Sequence, residues 1–102
     1  MITITNAVIT AYCACKICCG PHAHGICADG RRPVEGVTVA ASRRIPLGTH
    51  ISIDGHEYIV QDRLASRYDN RFDVFMNHHN DAKKHGLQHK DAVLSMNGTF
   101  PN

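Results

Sequence analysis

The stretch "HISIDGHEYIVQD" constrains the fold of this chain more than any other part of it. Ile51 and Ile53 alternate with polar neighbours, Asp54-Gly55 supplies a two-residue turn, and residues 58–60 run back. Asp-Gly tolerates the positive φ angles of a tight hairpin, and the alternation turns one face of each strand toward a core. The segment therefore predicts an antiparallel hairpin. Two strands alone are marginal in water, so the rest of the chain has to supply partners for them.

It does so in short β-rich pieces separated by turn residues. Residues 7–12 and 37–41 carry Val, Ile and Thr at strand-like density, and "RFDVF" and "DAVLSM" predict two further strands. One short helix is predicted in "NHHNDAKKHG": Asn77 caps it, Asp81 suits its first turn, Lys83, Lys84 and His85 suit its last, and Gly86 ends it. About six short strands and one helix in 102 residues make a single, mainly β domain over 1–102, and favour a small closed barrel over a sandwich. Residues 13–32 mix Gly, Pro, His and Cys without periodicity and predict a long, irregular, Cys-rich loop. A loop of that length in a compact domain is functional or pinned down.

A formal net charge of +2 is too weak to argue for a nucleic-acid partner, although eight histidines make the charge climb below about pH 6.5. No apolar run reaches the roughly 18 residues of a membrane-spanning helix. The opening "MITITNAVITAYC" lacks a basic n-region and reads as a strand, so export by the ordinary signal route is not expected.

Four of the five cysteines, Cys13, Cys15, Cys18 and Cys19, fall within seven residues, with His22, His24 and Cys27 following. Thiolate and imidazole suit zinc, and the pair Cys15 and Cys18 has ligand spacing, but a second pair at the usual distance is missing. A disulfide reading needs an oxidising compartment and leaves one thiol over. A redox C-x-x-C would open a helix, whereas "CKICCGPH" runs into Gly-Pro. The expectation is a structural loop, pinned by zinc or by disulfides, with no chemistry of its own.

Chemistry is sought instead in "VQDRLASRYDNRFDVF". Asp73 lies between Phe72 and Val74, where burial would raise its pKa and let it donate a proton near neutrality. Asp62 follows an apolar strand. Two carboxylates in unlike surroundings are the usual basis for dividing acid and base roles, although an Asp at a strand end more often binds the backbone amides of a turn. Asp69 sits in a polar turn and is expected to be solvated. Tyr12 is either an aromatic face for a sugar ring or a core residue.

Taken together, "TAYCACKICCG", "ADG", "VTVAASRRIPLGTHISIDGHEYIVQD" and "FDVFMNHHNDAKKHG" resemble the three-aspartate (3D) domain family. This family includes the barrel domain of a membrane-bound lytic transglycosylase and small wall enzymes of Gram-positive bacteria and phages. The likeness spans residues 10–96 and is most specific at the "IPLGT" turn and at the spacing of Asp62 and Asp73. It implies a six-stranded double-psi β-barrel. It also implies a lytic transglycosylase that cuts peptidoglycan between N-acetylmuramic acid and N-acetylglucosamine without water. Asp73 would be the acid and base and Asp62 its support, with Tyr12 and Arg63 as candidate sugar contacts. No cofactor is required for such chemistry; a structural zinc at Cys13, Cys15, Cys18 and Cys19 stays open beside disulfides. Glycan strands are the implied partner, with no nucleic acid or membrane, and the barrel is expected to act as a monomer. Action on the wall without a signal peptide suits release through a holin or carriage on a phage particle.

Two departures from the family pattern stand out. Ala41 occupies the place of the first aspartate, and "DRLAS" lacks the two glycines that usually follow the second. They leave open an alternative reading, a non-catalytic module that binds wall glycan on the same barrel.

Overall fold

The computed structural model describes residues 2–13, 26–64 and 70–95. Six strands, β1 (Ile2–Tyr12), β2 (Thr38–Ala41), β3 (His50–Ile53), β4 (His56–Arg63), β5 (Arg71–Phe75) and β6 (Gln88–Ser95), and one helix, α1 (His79–His85), make up its regular structure. The strands close into a barrel in the order β1-β5-β2-β4-β3-β6, with β6 returning to β1. Pairs β1–β5 and β2–β4 are parallel and the other four antiparallel. Among the described residues, closure gives every strand a partner on both sides, which is how a small β domain avoids pairing with its neighbours.

The hairpin forms as predicted. Asp54 and Gly55 both take positive φ, 54° and 80°, and Ile51 pairs with Tyr58 across it. Open space surrounds the position a Gly55 Cβ would take, so the cost of a side chain there is conformational. Gly55→Ala is expected to lower stability by about 1 kcal/mol with no change in the denaturant slope, measured by urea unfolding.

Inside the barrel, Ala7, Ile9, Val39, Ala41, Ile51, Ile53, Val60, Phe72, Val74, Ala92 and Leu94 form one buried cluster. Every second residue of a strand should point inward, and two strands break that rule by a bulge. In β1, Ile4 and Ala7 both face the core, three residues apart, and the register slips between them. Asn6 absorbs the slip in a left-handed conformation, φ 56°, and its N–H donates to Asp91 Oδ1 at 2.8 Å. In β4 the register against β2 slips after Val60, so that Ala40 pairs with Asp62 and Gln61 is the extra residue.

The turn over residues 45–49 closes one end. Ile45 enters the core, the Thr49 hydroxyl donates to the Pro46 carbonyl at 2.7 Å, and Gly48, at φ 91°, donates its N–H to Val60 O. At α1 the expected cap is corrected. His78 occupies the N-cap without a side-chain bond, because the backbone N–H of Asn77 is held by Glu35 Oε1 at 3.0 Å and the helix starts only after it. The last turn carries Lys83, Lys84 and His85, and Gly86 ends the helix at φ 63° as expected. Ala82 is its buried contact.

Candidate functional site

The outward faces of four strands bring the sequence-predicted residues together in one row. Thr10 of β1 pairs with Asp73 of β5, Asp73 with Ala40 of β2, and Ala40 with Asp62 of β4. Val39 and Ala41 point into the core, so Ala40 points out and its partners point out with it. Asp62 owes its place to the bulge. Two residues beyond the inward Val60 it would face the core, and Gln61 flips it to the outer surface.

Tyr12 lies over this row. Its ring packs edge-on against Phe75 at a centroid distance of 5.4 Å and joins Ala40 and Leu64 in a second small cluster. Its hydroxyl donates to Asp62 Oδ2 at 3.2 Å. The ring is only 8% exposed, so what it offers the site is a fixed hydroxyl and a hydrophobic floor. Burial first, and the Asp62 carboxylate second, push the phenol far above its usual pKa and keep it a donor.

The two carboxylates have different surroundings. Asp62 Oδ1 accepts the N–H of Arg63 at 2.9 Å and that of Ala28 at 3.1 Å. This is the amide-binding behaviour expected of an aspartate near a strand end, and it ties the segment before β2 to β4. The same segment is held by Asp29 N–H to Gln61 O, by Val34 N–H to Thr38 Oγ1, and by Thr38 Oγ1 to the Gln61 side chain. Asp73 is half-buried, and its Oδ1 accepts from the Thr10 hydroxyl at 2.9 Å. Burial is the main influence and raises its pKa above the ordinary 3.8; the Thr10 bond, Arg71 and His85 pull it down, and Asp62 pushes it slightly up. A carboxyl whose pKa is raised by burial is better suited to give a proton and take one back than an exposed one.

Arg63 follows Asp62 on the strand and faces the other way. Its Nη1 donates to the carbonyls of Arg43 and Ile45 at 3.1 and 2.9 Å, closing the end of the barrel. Ala41, its register partner, is fully buried in the core. The structure therefore joins Tyr12, Asp62 and Asp73, and directs Arg63 Nη1 to two backbone carbonyls away from them.

Among the described residues no group of three or more Cys, His, Asp or Glu side chains could hold a metal. Cys13 and Cys27 are both buried, and Cys13 Sγ lies 3.6 Å from His79 Nδ1. Cys15, Cys18, Cys19, His22, His24 and Asp69, for which the sequence raised expectations, lie outside the described residues. Among the described residues, one cavity of about 180 Å³ reaches Ile53, Tyr58 and His85, and another of about 410 Å³ spreads over Asp54, His89, Lys90 and Asp91. Neither contains Asp62 or Asp73, and in both Lys90 is paired with Asp54 at 2.8 Å. The carboxylate row is the stronger candidate because its chemistry is specific and its parts converge.

Sequence reading missed Thr10 and Arg71. Both were visible as period-2 neighbours, Thr10 of Tyr12 and Arg71 of Asp73, once the outward face of each strand is known. Comparison with known family models finds none that matches this chain, and no curated protein is significantly similar to it.

Proposed function

We propose that this protein is a peptidoglycan lytic transglycosylase in which Asp73 serves as both acid and base. The observation that carries the reading is Asp73 itself: a carboxyl with a raised pKa, facing outward in one row with a second aspartate. The likeness of the "IPLGT" turn and of the aspartate spacing to the 3D domain family supplies the substrate. The parallel β1–β5 and β2–β4 pairs within a closed barrel support the double-psi form of that family.

The reaction needs only one working carboxyl. Protonated Asp73 gives its proton to the glycosidic oxygen as the bond from C1 of N-acetylmuramic acid breaks. The 6-hydroxyl of the same sugar then bonds to C1, and its proton passes to the Asp73 carboxylate. The acid is restored, a 1,6-anhydro ring forms and no water is consumed. Ordinary glycosidases need a second carboxylate to handle water or to attack the sugar. Here the nucleophile is already attached, and proximity replaces that second group. Asp62, bound to Ala28, Arg63 and Tyr12, supports the site without exchanging protons.

One observation favours the second reading, a module that binds wall glycan without cutting it. Ala41 stands where the family carries its first aspartate, and here it is core. Digestion of purified sacculi, followed by mass spectrometry, separates the two. Anhydro-muropeptides are the expected product. Water-added reducing ends would mean a hydrolase, and intact sacculi that retain the protein would mean the binding module.

A further inference from the structure

Asp73 is joined through Thr10 to Arg71 by two hydrogen bonds on the outward face of β1 and β5. In the parallel pairing of β1 with β5, Val8 stands opposite Arg71 and Thr10 opposite Asp73. Arg71 and Asp73 are two residues apart on one strand and share its outward face. Arg71 Nε–H donates to Thr10 Oγ1 at 3.2 Å, and Thr10 Oγ1 is 2.9 Å from Asp73 Oδ1. Thr10 is only 8% exposed and β-branched, so its hydroxyl is held in place by burial and by a stiff χ1.

A hydroxyl has one hydrogen and two lone pairs, whereas a guanidinium can only donate and stays charged at every relevant pH. The Arg71 N–H therefore occupies a lone pair of Oγ1 and polarises the hydroxyl toward its other neighbour. That neighbour is Oδ1 of Asp73. We propose that Arg71 and Thr10 form a positioning relay that keeps Oδ1 of Asp73 an acceptor and reserves Oδ2 for the proton the carboxyl gives and takes. The relay is a property of the carboxyl whatever its substrate; that this proton does glycan chemistry rests on the reading above.

The relay answers two needs of a lone acid and base. Its proton has to leave from and return to one defined oxygen, because a transfer to bound sugar depends on placement within hydrogen-bond reach. The group also has to avoid staying permanently neutral. Burial drives Asp73 toward the neutral form, and the Thr10 bond is the largest influence that opposes it. Arg71 on the same strand and His85 at the end of α1 add positive charge in the same sense, and Asp62 across β2 acts against them. Tyr12 stays neutral and contributes no charge.

The test follows the Asp73 side-chain carboxyl carbon by NMR as a function of pH, in the parent, Thr10→Val, Thr10→Ser and Arg71→Met. In Thr10→Val the Asp73 midpoint is expected to move up, because a bond to the ionised form is lost while the shape is kept. Thr10→Ser restores the hydroxyl and is expected to return the midpoint toward the parent value. Arg71→Met is expected to move it up as well, and at a half-exposed position it carries the test if Thr10→Val does not fold. An unchanged midpoint in Thr10→Val, or a Ser variant that behaves as Val does, overturns the relay. The glycan reading fails separately. If the parent yields no cleavage products from sacculi while Thr10→Val still moves the Asp73 midpoint, the relay stands and the substrate is wrong.

Discussion

Asp73→Asn is expected to slow formation of anhydro-muropeptides by a factor of about 10²–10⁴, the usual worth of a positioned acid and base, while the barrel becomes no less stable at neutral pH. The two halves of this expectation come from the same fact. Burial raises the Asp73 pKa in the folded state above its unfolded value, so folding favours the protonated form. Asp73 therefore supports folding fully below the unfolded pKa, near 3.8, and that support is lost as pH rises through the folded pKa. The ionised form, which gains population as pH rises, works against the fold. Asn keeps the shape and an acceptor for the Thr10 hydroxyl and carries no charge. Urea midpoints at pH 4 and pH 7 check the sign: the parent should lose ground against Asp73→Asn as pH rises. Lost activity with retained or higher stability at pH 7 places the residue in the chemistry. Lost activity with lost stability would make it a structural carboxylate.

How far the sequence foretold this site differs from element to element. The hairpin at Asp54-Gly55 and the strand "RFDVF" were legible because turn chemistry and alternation are local signals. Strand β6 starts earlier than expected, at Gln88, because its polar first residues are held by backbone pairing to β1, with Gln88 opposite Ile9. That pairing is a tertiary effect which overrides residue preference. The two bulges were not legible. A bulge is a mismatch between partners, and one strand's sequence does not say where its partner slips. Yet the slip at Gln61 alone decides that Asp62 shares a face with Asp73. The same limit hid the Arg71–Thr10 contact, which joins residues 61 positions apart and becomes visible only when β1 and β5 are known to run parallel. Asp73 could be singled out from its apolar neighbours; the groups that tune it could not.

Asp62 calls for a graded prediction, since its oxygens serve three donors at once. Replacing it by Ala leaves the Ala28 N–H and the hydroxyl of the buried Tyr12 without their acceptor, and frees the segment before β2 from β4. Bonds to a charged acceptor contribute about 1.5–3 kcal/mol each, and a donor left stranded costs about 1–3 kcal/mol. Water can reach the outer side of this segment, so the sum is not realised in full, and Asp62→Ala is expected to cost about 2–4 kcal/mol in urea unfolding. Asp62→Asn keeps a carbonyl oxygen for the two amides, and its NH₂ can donate to the Tyr12 oxygen. The cost should fall to about 1 kcal/mol. Hydrogen exchange at the Ala28 amide locates the damage: fast in the Ala variant, close to the parent in the Asn variant. Asn also removes a negative charge that pushes the Asp73 pKa slightly up, so the Asp73 midpoint should move down in Asp62→Asn. If the Asn variant keeps its fold and still loses activity as completely as Asp73→Asn does, Asp62 takes part in proton transfer itself, and the one-carboxyl mechanism gives way to a two-carboxyl one.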